Sequence, residues 1–170
     1  MNTLPACLLA IAMLVHHRAP DLENAMNHQI AQSICYAAKA YSLNPRILAA
    51  YTLNENGNYN VGLLKPAAVG YDAGIFQVNT AIHSNMPMIR YALYPAAEAA
   101  MASQIIKQNF AGFGYNWRGV AAYWSPADAK AGGRQAIQYF DRWHRHFLLV
   151  SAYFNKARNI INAQEIRHVG

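Results

Sequence analysis

Charge is scarce in this chain. Only 13% of its 170 residues are Asp, Glu, Lys or Arg, against 54% hydrophobic, which excludes an intrinsically disordered chain. Cysteine is scarcer still. There are two, Cys7 and Cys35, with no CxxC and no Cys/His grouping at zinc spacing, so a structural zinc site has no basis. Apolar runs are short. Leu4–Val15 holds only twelve residues, too few to span a bilayer comfortably. Long β-branched runs are missing, which speaks against a strand-rich fold. No period of about 20–50 residues recurs and no tract is of low complexity, which excludes solenoids and arrays. The fourteen Lys and Arg never gather into a dense run, so a basic nucleic-acid arm is absent.

What is present is enough for one domain with a real core. Abundant alanine favours helices. A net charge of +6 and a pI near 9.4 suit an anionic partner: nucleic acid, acidic lipid or anionic cell wall. Charge alone does not choose among them. Cys7 and Cys35 leave two readings open, a single disulfide in an exported chain or two buried thiols. The Leu4–Val15 run leaves three: a signal-peptide core, the first helix of the domain, or an uncleaved anchor. No Lys or Arg precedes it, and the following HHRAPDLENA holds no small-x-small cleavage site. Leu4-Pro5-Ala6-Cys7 resembles a lipoprotein box but opens the run instead of closing it. The chain thus divides into an apolar N-terminal segment (1–20), a main domain (21–150) and a C-terminal amphipathic helix (151–170).

Within the main domain, Asp21 is placed to cap a helix whose stripe is Leu22, Met26, Ile30, Ile34, Ala38 and Tyr41. Asn44-Pro45 reads as a cap with proline at the first helical position, followed by the apolar stretch Ile47–Leu53. Glu55-Asn56-Gly57 ends that helix, with Gly57 suited to a left-handed C-terminal turn. Residues 58–97 carry Gly62, Pro66, Gly70, Gly74, Pro87 and Pro95, and predict a long loop region with a helical turn after Gly74. Helices resume from Ala96 to Phe110 with Met101, Ile105 and Ile106 inward, then from Trp117 to Trp124, then from Arg134 into the 150s or 160s. The expected class is all-α, a compact bundle around a loop-lined cleft.

Glu55 is the acid that stands out. A carboxylate at a helix C-terminus meets the negative end of the helix dipole, and apolar neighbours add desolvation. Both raise its pKa toward the range a general acid needs. Downstream, residues 70–79 read GYDAGIFQVN. Gly74 allows close backbone approach. Gln77 and Asn79, two apart, present both amides on one side of an extended stretch. Amides beside Ile75 and Phe76 suit a sugar, which offers hydroxyls and an acetamido group. Tethering of the loop is the competing role for the same amides.

In order, ICYAAKAYSLNPRILAAYTLNENGNYN, YDAGIFQVN and GVAAYWSP resemble the lysozyme-like lytic transglycosylases, over residues 34 to about 126. The subgroup they resemble is the small type associated with secretion, conjugation and pilus machines. The resemblance implies a helical lysozyme-like fold, cleavage of peptidoglycan glycan strands, an exported protein of the periplasm or cell envelope, no cofactor and no metal. It makes Glu55 the catalytic acid/base. Gly74, Gln77 and Asn79 would line the glycan groove with the Ile75 and Phe76 backbone beside them, and Tyr123 would be the helix tyrosine near the carboxylate. Two residues depart from the family pattern. Asn56 stands where serine is usual and retains a hydrogen-bond donor for Glu55. Trp124 stands where Asn or His is usual; its indole only donates, and it is assigned a sugar-stacking role. Asp72, seventeen residues after Glu55, matches the second carboxylate of animal-type lysozymes, which keeps a retaining muramidase as the alternative. A non-enzymatic glycan-binding subunit of an envelope machine is the other.

Other candidates carry less. His16-His17 and His144-x-His146 do not share a helix face, so metal binding is not assigned. Trp117 and Trp143 are read as core aromatics. The tail, with Tyr153, Phe154, Ile160 and Ile161 among Lys156, Arg158 and Arg167, packs on the domain or docks to a wall or protein partner.

Overall fold

A computed structural model describes residues 3–81 and 93–169, with side chains to residue 164. Pro87 and the Arg167 side chain lie outside the described residues. The described chain is mostly helical: α1 Leu4–Arg18, α2 Asn24–Ala40, α3 Pro45–Glu55, α4 Pro95–Phe113, α5 Trp117–Ala121, α6 Pro126–Ala131 and α7 Arg134–Val169. Proline stands in the first turn of α1, α3, α4 and α6, where its missing N–H costs no helical bond. Asn44, Asn116 and Ser125 cap α3, α5 and α6 by accepting backbone N–H bonds.

α3 is the central helix. Ile47 through Leu53 are all buried, so every face is covered. It packs on α7, while α1 packs on both α2 and α7, and α2 on α4. The Leu4–Val15 run lies within α1, with Ala10, Ile11, Leu14 and Val15 inaccessible to solvent. Cys7 and Cys35 are joined in a disulfide that ties α1 to α2, which closes the alternative of two free thiols.

Two helix ends differ from the sequence expectation. Pro20 and Asp21 form a turn closed by the Leu22 N–H on the Ala19 carbonyl, 3.1 Å. This delays α2 to Asn24, so Glu23, not Asp21, is at the cap position and its side chain makes no capping bond. Gly57 does not take the left-handed turn. Asn56 terminates α3 at φ −146°, and the positive φ falls on Tyr59, at 52°. The Asn56 side chain, bonded to both the N–H and the carbonyl of Asn60, shapes this exit instead.

The stretch expected to be loop with a helical turn contains a three-stranded antiparallel meander. β1 (Leu64–Pro66) pairs with β2 (Tyr71–Ala73), which pairs with β3 (Val78–Asn79). Pro66 sits on the outer strand β1, where a missing donor does no harm. The sheet brings Asp72 opposite Lys65 on one side and Asn79 on the other.

Candidate active site

Glu55 closes the buried helix α3 and is itself half-buried. Burial drives its pKa up to about 7, and the nearby Asp72 charge adds to the rise. Hydrogen bonds from Tyr139 and Asn54, and the charge of Lys65, act the other way. The Tyr139 hydroxyl donates directly to Glu55 Oε1, and Asn54 Nδ2 approaches the same oxygen at 3.4 Å. Lys65 Nζ donates to the Glu55 backbone carbonyl at 3.2 Å, satisfying a group that the helix end leaves open. The result is a carboxyl divided between its acid and base forms near neutrality, with a fixed donor on one oxygen.

Tyr139 is the residue the sequence does not reveal. It comes from the first turns of α7 and is buried among Glu55, Tyr51 and Tyr123. Trp124 covers it from outside, the rings nearly parallel at 22° with centroids 6.4 Å apart. Trp124 is 46% exposed and so offers a flat face beside the Glu55 pair. The Tyr139→Phe variant removes a donor that favours the carboxylate. Its expected effect is a further rise of the Glu55 pKa, by about 1, read from the carboxyl-carbon resonance of Glu55 against pH. A fall or no change would contradict the assigned geometry.

Tyr123 lies close to Glu55 electrostatically but does not bond it. Its hydroxyl donates to the Phe76 carbonyl at 2.9 Å, and its ring packs on Tyr51 at 4.7 Å. The tyrosine in contact with the carboxylate is Tyr139, because Tyr123 is drawn toward the 74–77 segment.

That segment corrects several expectations. Ile75 and Phe76 have inaccessible side chains in the core, so only their backbone is left to face a groove. Gly74 is buried at φ +72°. Gln77 is not extended: its φ is +48°, and its Nε2 donates to the Gly74 carbonyl at 2.6 Å. Asn79 Nδ2 donates to Asp72 Oδ1 at 2.9 Å and to the Val69 carbonyl at 3.1 Å, while its Oδ1 accepts the Ala81 N–H. The two amides therefore face different partners, and the bonds they make tether the loop. Asn56 Nδ2 reaches the carbonyls of Asn60 (2.9 Å) and Gly74 (3.1 Å), so it ties the end of α3 to this segment and does not serve Glu55.

The structure thus gathers Glu55, Tyr139, Trp124, Lys65 and Asp72 around one carboxyl. Beside it, Asn56 and Gln77 bond the Gly74 carbonyl and Tyr123 bonds the Phe76 carbonyl, which makes one hydrogen-bonded wall. Chemically, the first group is equipped to give a proton to an oxygen and take one back. Comparison with protein-family models, with curated proteins and with solved structures returns no match to this chain.

Proposed function

We propose that this protein is a peptidoglycan lytic transglycosylase of lysozyme-like architecture, with Glu55 as its single acid/base in a glycan cleft. One observation carries the reading: a half-buried carboxyl with its pKa raised to about 7, held by Tyr139 and flanked by the exposed face of Trp124. In the proposed reaction, protonated Glu55 donates to the oxygen between MurNAc and GlcNAc. The resulting carboxylate then accepts the proton of the MurNAc 6-hydroxyl, which closes a 1,6-anhydro ring. No water is consumed. The intramolecular attack gains from high effective molarity, and the Tyr139 hydroxyl steadies the carboxylate between the two transfers. Trp124 stacks on a sugar face.

An envelope location accords with the Cys7–Cys35 disulfide, since such bonds persist in oxidising compartments. The basic net charge suits an anionic wall. An envelope-spanning secretion or conjugation machine is the protein partner the sequence resemblance suggests.

The second reading is a retaining muramidase in which Asp72 is the nucleophile. The field of Asp72 at Glu55 favours considering it. Against it stands the Asp72 carboxylate's bond from Asn79 Nδ2, which directs one oxygen into the sheet. Asp72→Asn is expected to keep cleavage within about tenfold of the wild type, because it alters only a secondary influence on Glu55. Loss of roughly 10³-fold or more would favour the muramidase. Mass spectrometry of fragments released from purified sacculi separates the two: anhydro ends from transglycosylation, reducing ends from hydrolysis. Binding of sacculi with no released fragment would instead favour a glycan-binding subunit.

A further inference from the structure

A second buried acid lies behind the candidate site. Glu98, in the first turn of α4, is 3% exposed. Its Oε2 accepts the Ile75 N–H at 2.9 Å, and its Oε1 has no hydrogen-bond partner. That unpartnered oxygen lies only 1.4 Å from where a Cβ on residue 74 would stand. The carboxyl is therefore pressed against the one backbone position that lacks a side chain, and no other residue type fits beside it. The same four-residue segment is gripped from elsewhere. Gly74 N donates to the Leu63 carbonyl at 2.7 Å, the Gly74 carbonyl accepts from Asn56, and the Phe76 carbonyl accepts from Tyr123. The Glu98 contact is the grip that comes from α4.

We propose that Glu98 is a positioning residue of the site: its carboxyl seats the Gly74–Phe76 backbone so that Tyr123 and the hydrogen-bonded wall beside Glu55 hold their places. The consequence for glycan binding rests on the function proposed above, whereas the seat itself does not. Burial raises the Glu98 pKa to about 8, with the Ile75 N–H pulling weakly the other way. The carboxyl is thus mostly protonated at neutral pH. Once ionised, a buried carboxylate with a single N–H donor is under-satisfied. Ionisation therefore loosens the carboxyl's seat against Gly74 and Ile75.

No described cation relieves that cost. On α2, His28 and Lys39 are exposed; on α4 itself, Lys107 is exposed. From the sheet, Lys65 reaches the Glu55 carbonyl, and from α5, Arg118 lies over Trp117. Tyr123 is the titratable neighbour that feels Glu98, and burial keeps its hydroxyl neutral. Glu55 and Asp72 act on the same hydroxyl, so a charge on Glu98 would join two acids already there.

The test follows the Ile75 amide of the isotope-labelled full chain from pH 5 to 10. The expected result is a titration of that amide with its midpoint near 8, absent in Glu98→Gln, whose Oε1 still accepts the N–H. Alongside, a GlcNAc hexamer is titrated into the Glu55→Gln chain, which removes the Glu55 ionisation. Affinity should fall about tenfold between pH 7 and 9, and stay level when Glu98→Gln is added. An Ile75 amide that does not titrate near 8 overturns the proposal without need of any variant, as does a titration that survives Glu98→Gln. Hexamer binding that is indifferent to the Glu98 ionisation overturns the positioning role. Failure of the hexamer to bind at any pH, with the Ile75 titration intact, counts against the glycan reading and leaves the seat standing.

Discussion

Glu55→Gln should abolish release of fragments from purified sacculi while leaving the protein folded. Glutamine matches the size of the side chain and retains an oxygen to accept the Tyr139 hydroxyl, but it neither gives nor takes the proton. General acid/base catalysis is worth about 10²–10⁴ in rate, and a group used in both steps belongs at the upper end. Stability moves the opposite way. The folded pKa of Glu55 is raised to about 7 from an ordinary 4.5, so the folded state binds this proton more tightly than the unfolded chain does. That contribution is fully present below pH 4.5 and is lost as pH rises through 7. Removing the ionisable group therefore removes a cost at pH 8. The melting temperature of Glu55→Gln should equal or exceed that of the wild type at pH 8. Near-normal cleavage by a folded variant would disqualify Glu55 and send the search to Asp72.

Breaking the Cys7–Cys35 link should cost the fold about 3–4 kcal/mol. The two cysteines lie 28 residues apart, and cross-linking a loop of that size removes this much chain entropy from the unfolded ensemble. The loss is large against the roughly 5–15 kcal/mol by which folded domains are stable. Both cysteines are buried, so Cys7→Ala/Cys35→Ala also removes packed sulfur at the α1–α2 contact. Urea unfolding of the oxidised chain, the reduced chain and the double variant would show midpoints falling in that order, with a steeper slope once the unfolded chain is no longer cross-linked. Equal midpoints for oxidised and reduced protein would mean that the bond does not form in solution.

The helices were legible because their signals are local. Pro45 marks a first turn, Asn44 marks a cap, and Met101 with Ile106 marks an inward face, whereas the six-residue α6 after Ser125 was too short to register. The meander was not, since strands of two or three residues are too short for alternation to register. Gln77 and Asn79 were misplaced for a related reason: the two-residue rule holds for extended backbone, and the positive φ at Gln77 breaks it. Glu55 was visible as an acid ending an apolar helix. Tyr139 and Glu98 were not, because nothing in their surroundings in sequence distinguishes a tyrosine or glutamate that will meet a partner far along the chain. Trp124 was singled out as a departure from a family pattern, and its stacking on Tyr139 gives that departure a place.

The partners in this site come from distant parts of the chain. Phe76 meets Tyr123 across 47 residues, and Glu55 meets Tyr139 across 84. Contacts of such separation carry a large loop-closure entropy and form slowly. During synthesis, α3 leaves the ribosome long before α7 exists, and Glu55 is then an ordinary, solvated glutamate at a frayed end. Its tyrosine, whose bond acts against the rise in pKa caused by burial, is added when α7 docks. A chain interrupted anywhere before residue 139 carries Glu55 without the hydroxyl that bonds it.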